Sequence, residues 1–154
     1  MPPIRLGLFA LLHGDEPAGA LGLERLFCSL VHDPVPATGY ELTAYPLCNP
    51  TGYEDGTRHN RAGRDLNREF WRGSDRPEIV ILEHELRERQ FDGIIVLHAD
   101  DTSDGLYGYT QGQVLNENLL GPALRAAQHV LAINQSPLID GFKAEGGLIE
   151  DCYP

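Results

Sequence analysis

An apolar run, IRLGLFALL at residues 4–12, leads directly into a polar run, HGDE at residues 13–16. The apolar run predicts a buried β-strand, and the polar run then lies in the loop that follows it. Gly14 lets the backbone turn tightly between His13 and Glu16. A His and a Glu three residues apart can bind one zinc ion, and a catalytic zinc typically takes three protein ligands. The alternative is an ordinary surface loop, because a lone HxxE is common by chance.

A second apolar run, GIIVLH at residues 93–98, provides the best candidate for the third ligand, His98. Taken alone, a His at a strand end more often bonds to the backbone. Two predicted strands that each end in a metal-ligand residue type form a more specific pattern. For the other four histidines the ordinary loop or helix-surface interpretation is preferred; they are His32, His59, His84 and His129.

Predicted helices and strands alternate along most of the chain. Such an order indicates an α/β fold with a parallel or mixed sheet covered by helices on both faces. We expect one domain over residues 1–154, with only short fragments after residue 134. The predicted strands cover residues 4–12, 40–48 and 93–98, the predicted helices cover 17–31, 74–90 and 116–133, and 49–72 and 100–112 are predicted to be irregular.

Polar residues follow the ends of all three predicted strands. His13, Asn49 and His98 each come directly after, or at the end of, such a strand. In open α/β sheets the ligand site lies beyond the carboxyl ends of the strands. These three residues are therefore predicted to lie at the same edge of the sheet. Asp15 is either a solvated loop acid or a group that orients a metal ligand.

The charge and composition exclude some classes of partner. The net charge of −11 argues against binding to a nucleic-acid backbone, which needs basic patches. No apolar run approaches the ~20 residues of a membrane span, and the N-terminus lacks a signal-peptide pattern. The three cysteines, Cys28, Cys48 and Cys152, have no CxxC spacing and suit a reducing compartment. We therefore expect a soluble cytoplasmic protein; the sequence does not indicate its oligomeric state.

The segment at residues 49–72, which is predicted to be irregular, carries five arginines, and this is unusual in an acidic chain. Arginine binds carboxylates through two parallel hydrogen bonds and, beside a zinc ion, stabilises a developing oxyanion. We favour a functional role for Arg58 and Arg68. Arg64 and Arg72 are interpreted as solvated surface residues, and Arg61 is left open.

Several motifs in a fixed order resemble the zinc carboxypeptidase superfamily, which includes the aspartoacylases and succinylglutamate desuccinylases. The resemblance covers about residues 4 to 112. It implies a mixed, mainly parallel sheet sandwiched by helices, and a zinc ion (Zn²⁺) held by His13, Glu16 and His98. The motifs are HGDE at 13–16, NPTG at 49–52, Arg58, DLNREF at 65–70 and LH at 97–98, the last opening a stretch to residue 109 that is similar to a bacterial subgroup.

The resemblance also implies roles for the polar residues of the middle segment. Asn67 and Arg68 would hold the free carboxylate of the substrate, and Arg58 would polarise the scissile carbonyl. Gly52 and the offset of Arg58 from Asp65 favour the peptidase branch, whose members cleave small peptides. The alternative substrate is an N-acyl amino acid, as in the acylase branch.

One departure from the superfamily concerns the general base, a Glu that follows the third zinc ligand on a late strand. The candidates after His98 are Glu145 and Glu150, and neither lies in a convincing motif. We expect either that Glu150 takes this role or that the catalytic Glu lies beyond residue 154, in which case the chain is C-terminally incomplete. A third possibility is a catalytically silent module that keeps the zinc and the arginines.

Overall fold

The first apolar run forms the central strand of a three-stranded parallel sheet in the computed structural model, which describes residues 2–111 and 113–149. This strand, β1 (Ile4–Ala10), pairs on one side with β2 (Tyr40–Tyr45) and on the other with β3 (Gly93–Leu97). The sheet belongs to the first of two compact units, residues 1–99. The carboxyl ends of all three strands therefore lie at one edge of the sheet.

Helices cover both faces of this sheet. On one face, α1 (Ala18–His32) packs Leu23 against Leu8 and Ala10 of β1. On the other face, α3 (Pro77–Arg89) packs its buried apolar residues against Phe9. The predicted α/β fold, with a parallel sheet between helices, is confirmed.

The segment predicted to be irregular contains two short helical elements. One is α2 (Pro50–Asp55), and the other is a single 3₁₀ turn, Leu66–Arg68. The side chain of Asn49 accepts a hydrogen bond from the backbone N–H of Gly52 at 2.9 Å, so it caps α2. Asn before Pro is a local signal for a helix start, but a helix of six residues is too short to show helical periodicity.

Strand β1 ends at Ala10, two residues earlier than predicted. Leu11 has a φ of 55°, which takes the chain out of the extended conformation. Leu11 and Leu12 are nevertheless buried, at 3% exposure each, so their apolar character reflects the core and not the strand. This bend turns the following residues toward the edge of the sheet.

The described residues of the second unit, which covers residues 100–154, form short elements only. Strands β4 (Gly108–Tyr109) and β7 (Leu148–Ile149) pair in parallel, and β5 (Leu138–Ile139) and β6 (Phe142–Lys143) form an antiparallel hairpin. A single domain over residues 1–154 stays a prediction.

In the described part of the chain, no helix has both the length and the apolar character needed to cross a membrane.

The helix predicted over residues 116–133 is shorter and begins earlier. It consists of α4 (Gln113–Leu115), a π-helical turn (Asn116–Leu120) and α5 (Gly121–Ala127). The N–H of Gly121 bonds to the carbonyl oxygen of Asn116, five residues back. Pro122 cannot donate a helical hydrogen bond, and π-helical turns accommodate such an interruption.

Candidate metal centre

The structure brings His13, Glu16 and His98 together at the carboxyl edge of the sheet. Their ligand atoms all lie within 4.8 Å of one another. His13 Nδ1 is 2.7 Å from Glu16 Oε1, and His98 Nδ1 is 2.8 Å from Glu16 Oε2. The side chains of His13 and Glu16 are only 4% and 10% exposed, whereas that of His98 is 35% exposed. The cluster is therefore buried on one side and open on the other.

Glu16 is held as a carboxylate at the centre of this cluster. Burial works to raise its pKa, but hydrogen bonds from His13 and His98 and from the backbone N–H of Ala99 outweigh it and lower the pKa to about 2. The Ala99 nitrogen donates to Glu16 Oε2 at 3.1 Å. Glu16 is consequently ionised at neutral pH, the form in which a carboxylate binds a metal ion.

Asp65 lies on the other side of His13, and sequence reasoning gave it no role of its own. Its Oδ1 is 3.2 Å from His13 Nε2, so one carboxylate faces each ring nitrogen of this His. Burial works to raise the pKa of Asp65, and the nearby charges of His13 and Arg58 lower it below its usual value. Asp65 lies 52 positions after His13 in the sequence, so no local pattern links the two residues, and only the DLNREF motif marks Asp65.

Arg58 lies between the carboxylates of Glu16 and Asp65. Its Nη1 is 3.6 Å from Glu16 Oε1, and its Nη2 donates to Asp65 Oδ2 at 3.3 Å. The side chain is 46% exposed, so part of the guanidinium faces solvent. A partly exposed cation beside Glu16 can stabilise negative charge on a bound molecule.

Asn49 ties together the loops that carry these residues. It is fully buried, and its Nδ2 donates at 3.3 Å both to the carbonyl oxygen of Leu12 and to that of Arg58. The backbone N–H of Gly14 also bonds to the Arg58 carbonyl, at 3.3 Å. The predicted convergence of His13, Asn49 and His98 is thus observed, with Asn49 acting as a brace for the loops.

Gly14 is required for a different reason from the tight turn that the sequence suggested. The φ angle of Gly14 is not positive, so its backbone conformation does not itself require glycine. A Cβ at this position would lie 2.0 Å from the carbonyl carbon of Gly52 and 2.3 Å from the nitrogen of Tyr53. The glycine therefore lets the His13 loop pack directly against α2.

We expect Gly14→Ala to destabilise the fold by at least about 1–3 kcal/mol, because backbone atoms of α2 would have to move. Urea denaturation measures this loss. The matched control is Gly22→Ala in α1, where a Cβ meets nothing within 4 Å. That change should stabilise the protein by about 0.5–1 kcal/mol. Equal stability of the two variants would contradict the close packing of Gly14.

The remaining predicted site residues have different placements. Asn67 and Arg68 lie in the 3₁₀ turn that begins directly after Asp65, and the backbone N–H of Asn67 donates to Asp65 Oδ1 at 3.0 Å. Asp15 is exposed. Arg61, which the sequence left open, donates to Asp55 and Glu54 on the surface. Glu150 lies outside the described residues.

Comparison with known families identifies the class of protein that this sheet and cluster define. The model of the succinylglutamate desuccinylase/aspartoacylase catalytic domain matches residues 3–131. The chain belongs to this family. The resemblance drawn from its motifs, to metallocarboxypeptidase-like proteins related to this family, is confirmed. No curated protein sequence matches significantly.

Solved structures share the fold over almost the whole chain. Among those named putative metallopeptidase are one from Shewanella amazonensis (TM-score 0.82, 27% identity, 100% of this chain and 62% of that one) and one from Shewanella denitrificans (0.80, 25%, 99% and 59%). The chain thus spans about three fifths of their length. A metallo-carboxypeptidase from Pseudomonas aeruginosa, in complex with (2-guanidinoethylmercapto)succinic acid, shares the fold alone (0.59, 23%, 99% and 40%).

Proposed function

We propose that this protein is a zinc-dependent hydrolase of the metallocarboxypeptidase type, which cleaves an amide (peptide) bond adjacent to a free carboxylate. The observation that carries the proposal is the cluster of His13, Glu16 and His98, with the partly exposed Arg58 beside Glu16. The family match supports hydrolytic chemistry on substrates of this kind.

The residues of the cluster fit a zinc ion. Two imidazole nitrogens and one carboxylate oxygen form the donor set of a known class of catalytic zinc sites, and here these atoms lie within 4.8 Å of one another. When bound, zinc supplies Lewis acidity, which activates water near neutral pH and polarises a carbonyl group. The partial exposure of His98 leaves the cluster accessible to substrate.

Asp65 would fix the protonation state of His13. If Nδ1 binds the metal ion, the ring proton resides on Nε2 and is donated to Asp65 Oδ1, 3.2 Å away. A carboxylate in this position holds the ring in orientation and makes it a stronger ligand. Asp65 is therefore a positioning residue for His13.

Arg58 would bind the carbonyl oxygen of the scissile amide as negative charge develops on it. Glu16 and Asp65 restrain its guanidinium at 3.3–3.6 Å, so little reorganisation is needed during the reaction. Asn67 and Arg68 would anchor the free carboxylate of the substrate. The general base is proposed to be a Glu, for which Glu150 is the candidate in this chain; it takes the proton from water and passes it to the leaving amine.

The second candidate function is hydrolysis of an N-acyl amino acid, and the family match favours it specifically. Both candidates use the same chain residues and take small substrates with a free carboxylate. Release of a C-terminal residue from a peptide indicates the first, and release of acetate or succinate from an acyl amino acid indicates the second. Stoichiometric zinc without turnover on either substrate would indicate the silent binding module.

We propose the cytoplasm as the location of the protein. Cys28 and Cys48 are both free thiols. Burial raises the pKa of Cys48 to about 11 even though the backbone N–H of Ala10 lowers it, so this thiol stays protonated. Unpaired cysteines of this kind suit a reducing compartment.

We expect Arg68→Ala to weaken the binding of ligands with a free carboxylate by at least tenfold, because the anion loses a bidentate charged partner. Calorimetry with (2-guanidinoethylmercapto)succinic acid and with its amidated analogue measures the effect. The control is Arg64→Ala, which removes the same charge from an arginine that is 61% exposed. If the wild-type protein binds the free acid and its amidated analogue with equal affinity, Arg68 does not anchor a carboxylate.

Asp65→Asn should lower the affinity for zinc by about 10–100-fold, the usual cost of losing a carboxylate behind a metal-binding His. The amide can also accept from Nε2, so the ring orientation is kept while the negative charge is lost. A chelator-competition titration gives the affinity. The exposed Asp15, changed to Asn, is the matched control; if both variants bind zinc equally, Asp65 does not position His13.

A further inference from the structure

A cavity of about 660 Å³ lies in the first unit, away from the candidate metal centre. None of His13, Glu16, Asp65 and His98 lines it. Its walls come from the end of β2, the start of α2, the loop at residues 60–62 and the first half of α3. Most of the lining is apolar, with Tyr45, Leu47, Cys48, Ile81 and Leu82 among its residues. Cavities of this size and character are typical of small-molecule sites.

Glu78 lies in the wall of this cavity and has one unsatisfied oxygen. Its Oε1 accepts a hydrogen bond from Asn60 Nδ2 at 3.3 Å. Its Oε2 is buried and has no hydrogen-bond donor in the described part of the chain. A buried carboxylate oxygen without a donor is costly, so this atom favours a ligand that brings one.

The two arginines of the cavity wall already have acidic partners. Arg61 donates to Glu54 and Asp55 at 2.6–2.9 Å, and Arg76 donates to Asp75 at 2.6 and 2.8 Å. The charged residues that line the cavity are Arg61, Arg76 and Glu78, and in the described part of the chain Glu78 is the one without a salt bridge. A carboxylate without an ionic partner favours a cationic ligand over an anionic one.

We propose that this cavity is a second ligand site, which binds a small, mainly apolar amine. The hydrocarbon part of the ligand lies against the apolar wall. Its protonated amino group donates to Glu78 Oε2 once the carboxylate turns toward the cavity. The proposal is independent of the zinc chemistry, because it uses none of the residues of the metal centre.

The test uses three probes of similar shape: 2-phenylethylamine, 2-phenylethanol and 3-phenylpropionate. Binding is followed by amide chemical shifts in NMR titrations of the 154-residue protein. We expect 2-phenylethylamine to shift the amides of Thr51, Ala62 and Leu82, which line the cavity, and to leave that of Glu16 unchanged. The alcohol and the carboxylate should bind at least tenfold more weakly.

Glu78→Gln keeps the shape of the side chain and should weaken binding of the amine by about tenfold or more. Glu88→Gln removes the same charge from an exposed position of the same helix and should have no effect. Circular dichroism verifies that both variants fold. Equal binding of amine and alcohol, shifts outside the cavity, or no binding of the amine at millimolar concentration would each overturn the proposal.

Discussion

Glu16→Gln is expected to lower the affinity for zinc by more than 100-fold. The substitution removes the only anionic ligand of the proposed set and the group that both His13 and His98 face. Loss of a group that merely orients a ligand costs 10–100-fold, so loss of the ligand itself should cost more. Equilibrium titration against a chelator measures the affinity directly and needs no substrate.

The control for this prediction is Glu88→Gln, the exposed acid at the end of α3. It changes the net charge of the protein by the same amount and should leave the affinity for zinc unchanged. A wild-type affinity in the Glu16 variant would mean that the ion binds elsewhere. The proposed role of Glu16 would then be wrong.

Arg58→Ala is expected to lower kcat/KM by about 10²–10³, the usual cost of losing one donor to a developing oxyanion. The effect should fall mainly on kcat, because the interaction strengthens in the transition state. Zinc content should not fall, since removal of a cation 3.6 Å from Glu16 leaves less positive charge near the ion. Steady-state kinetics and metal analysis of the same preparation separate the two effects.

Arg72→Ala serves as the matched variant, because Arg72 is exposed and was interpreted from the sequence as a surface residue. It should retain wild-type kinetics. A loss of zinc together with activity in the Arg58 variant would show that Arg58 supports the metal centre instead of the reaction. A rate unchanged from wild type would remove Arg58 from the proposed mechanism.

The strands and the cluster of His13, Glu16 and His98 could be predicted because their sequence signals are local. Each of the two apolar runs that end in His13 and His98 is long enough to indicate a buried strand. Parallel strands then bring those distant residues to one edge of the sheet. The order of the motifs along the chain indicated the family, and the family match confirms this interpretation.

The rest of the site depends on contacts that no local pattern encodes. Asp65 contacts His13 across 52 positions in sequence. Position 14 requires glycine because the backbone of α2, which is distant in sequence, packs against it. The φ angle of Gly14 itself does not impose this requirement. The short helix α2 was missed because six residues are too few to show a helical period, although Asn49 and Pro50 marked its start.

The most direct test of the account is a crystal structure of the zinc-loaded protein with anomalous scattering data collected at the zinc edge. We expect one ion per chain, bound by His13, Glu16 and His98, with zinc–nitrogen distances of about 2.0–2.1 Å. Nε2 of His13 should lie within hydrogen-bonding distance of Asp65 Oδ1. An ion bound at other residues, or these three side chains separated and without an ion after zinc loading, would contradict the central claim.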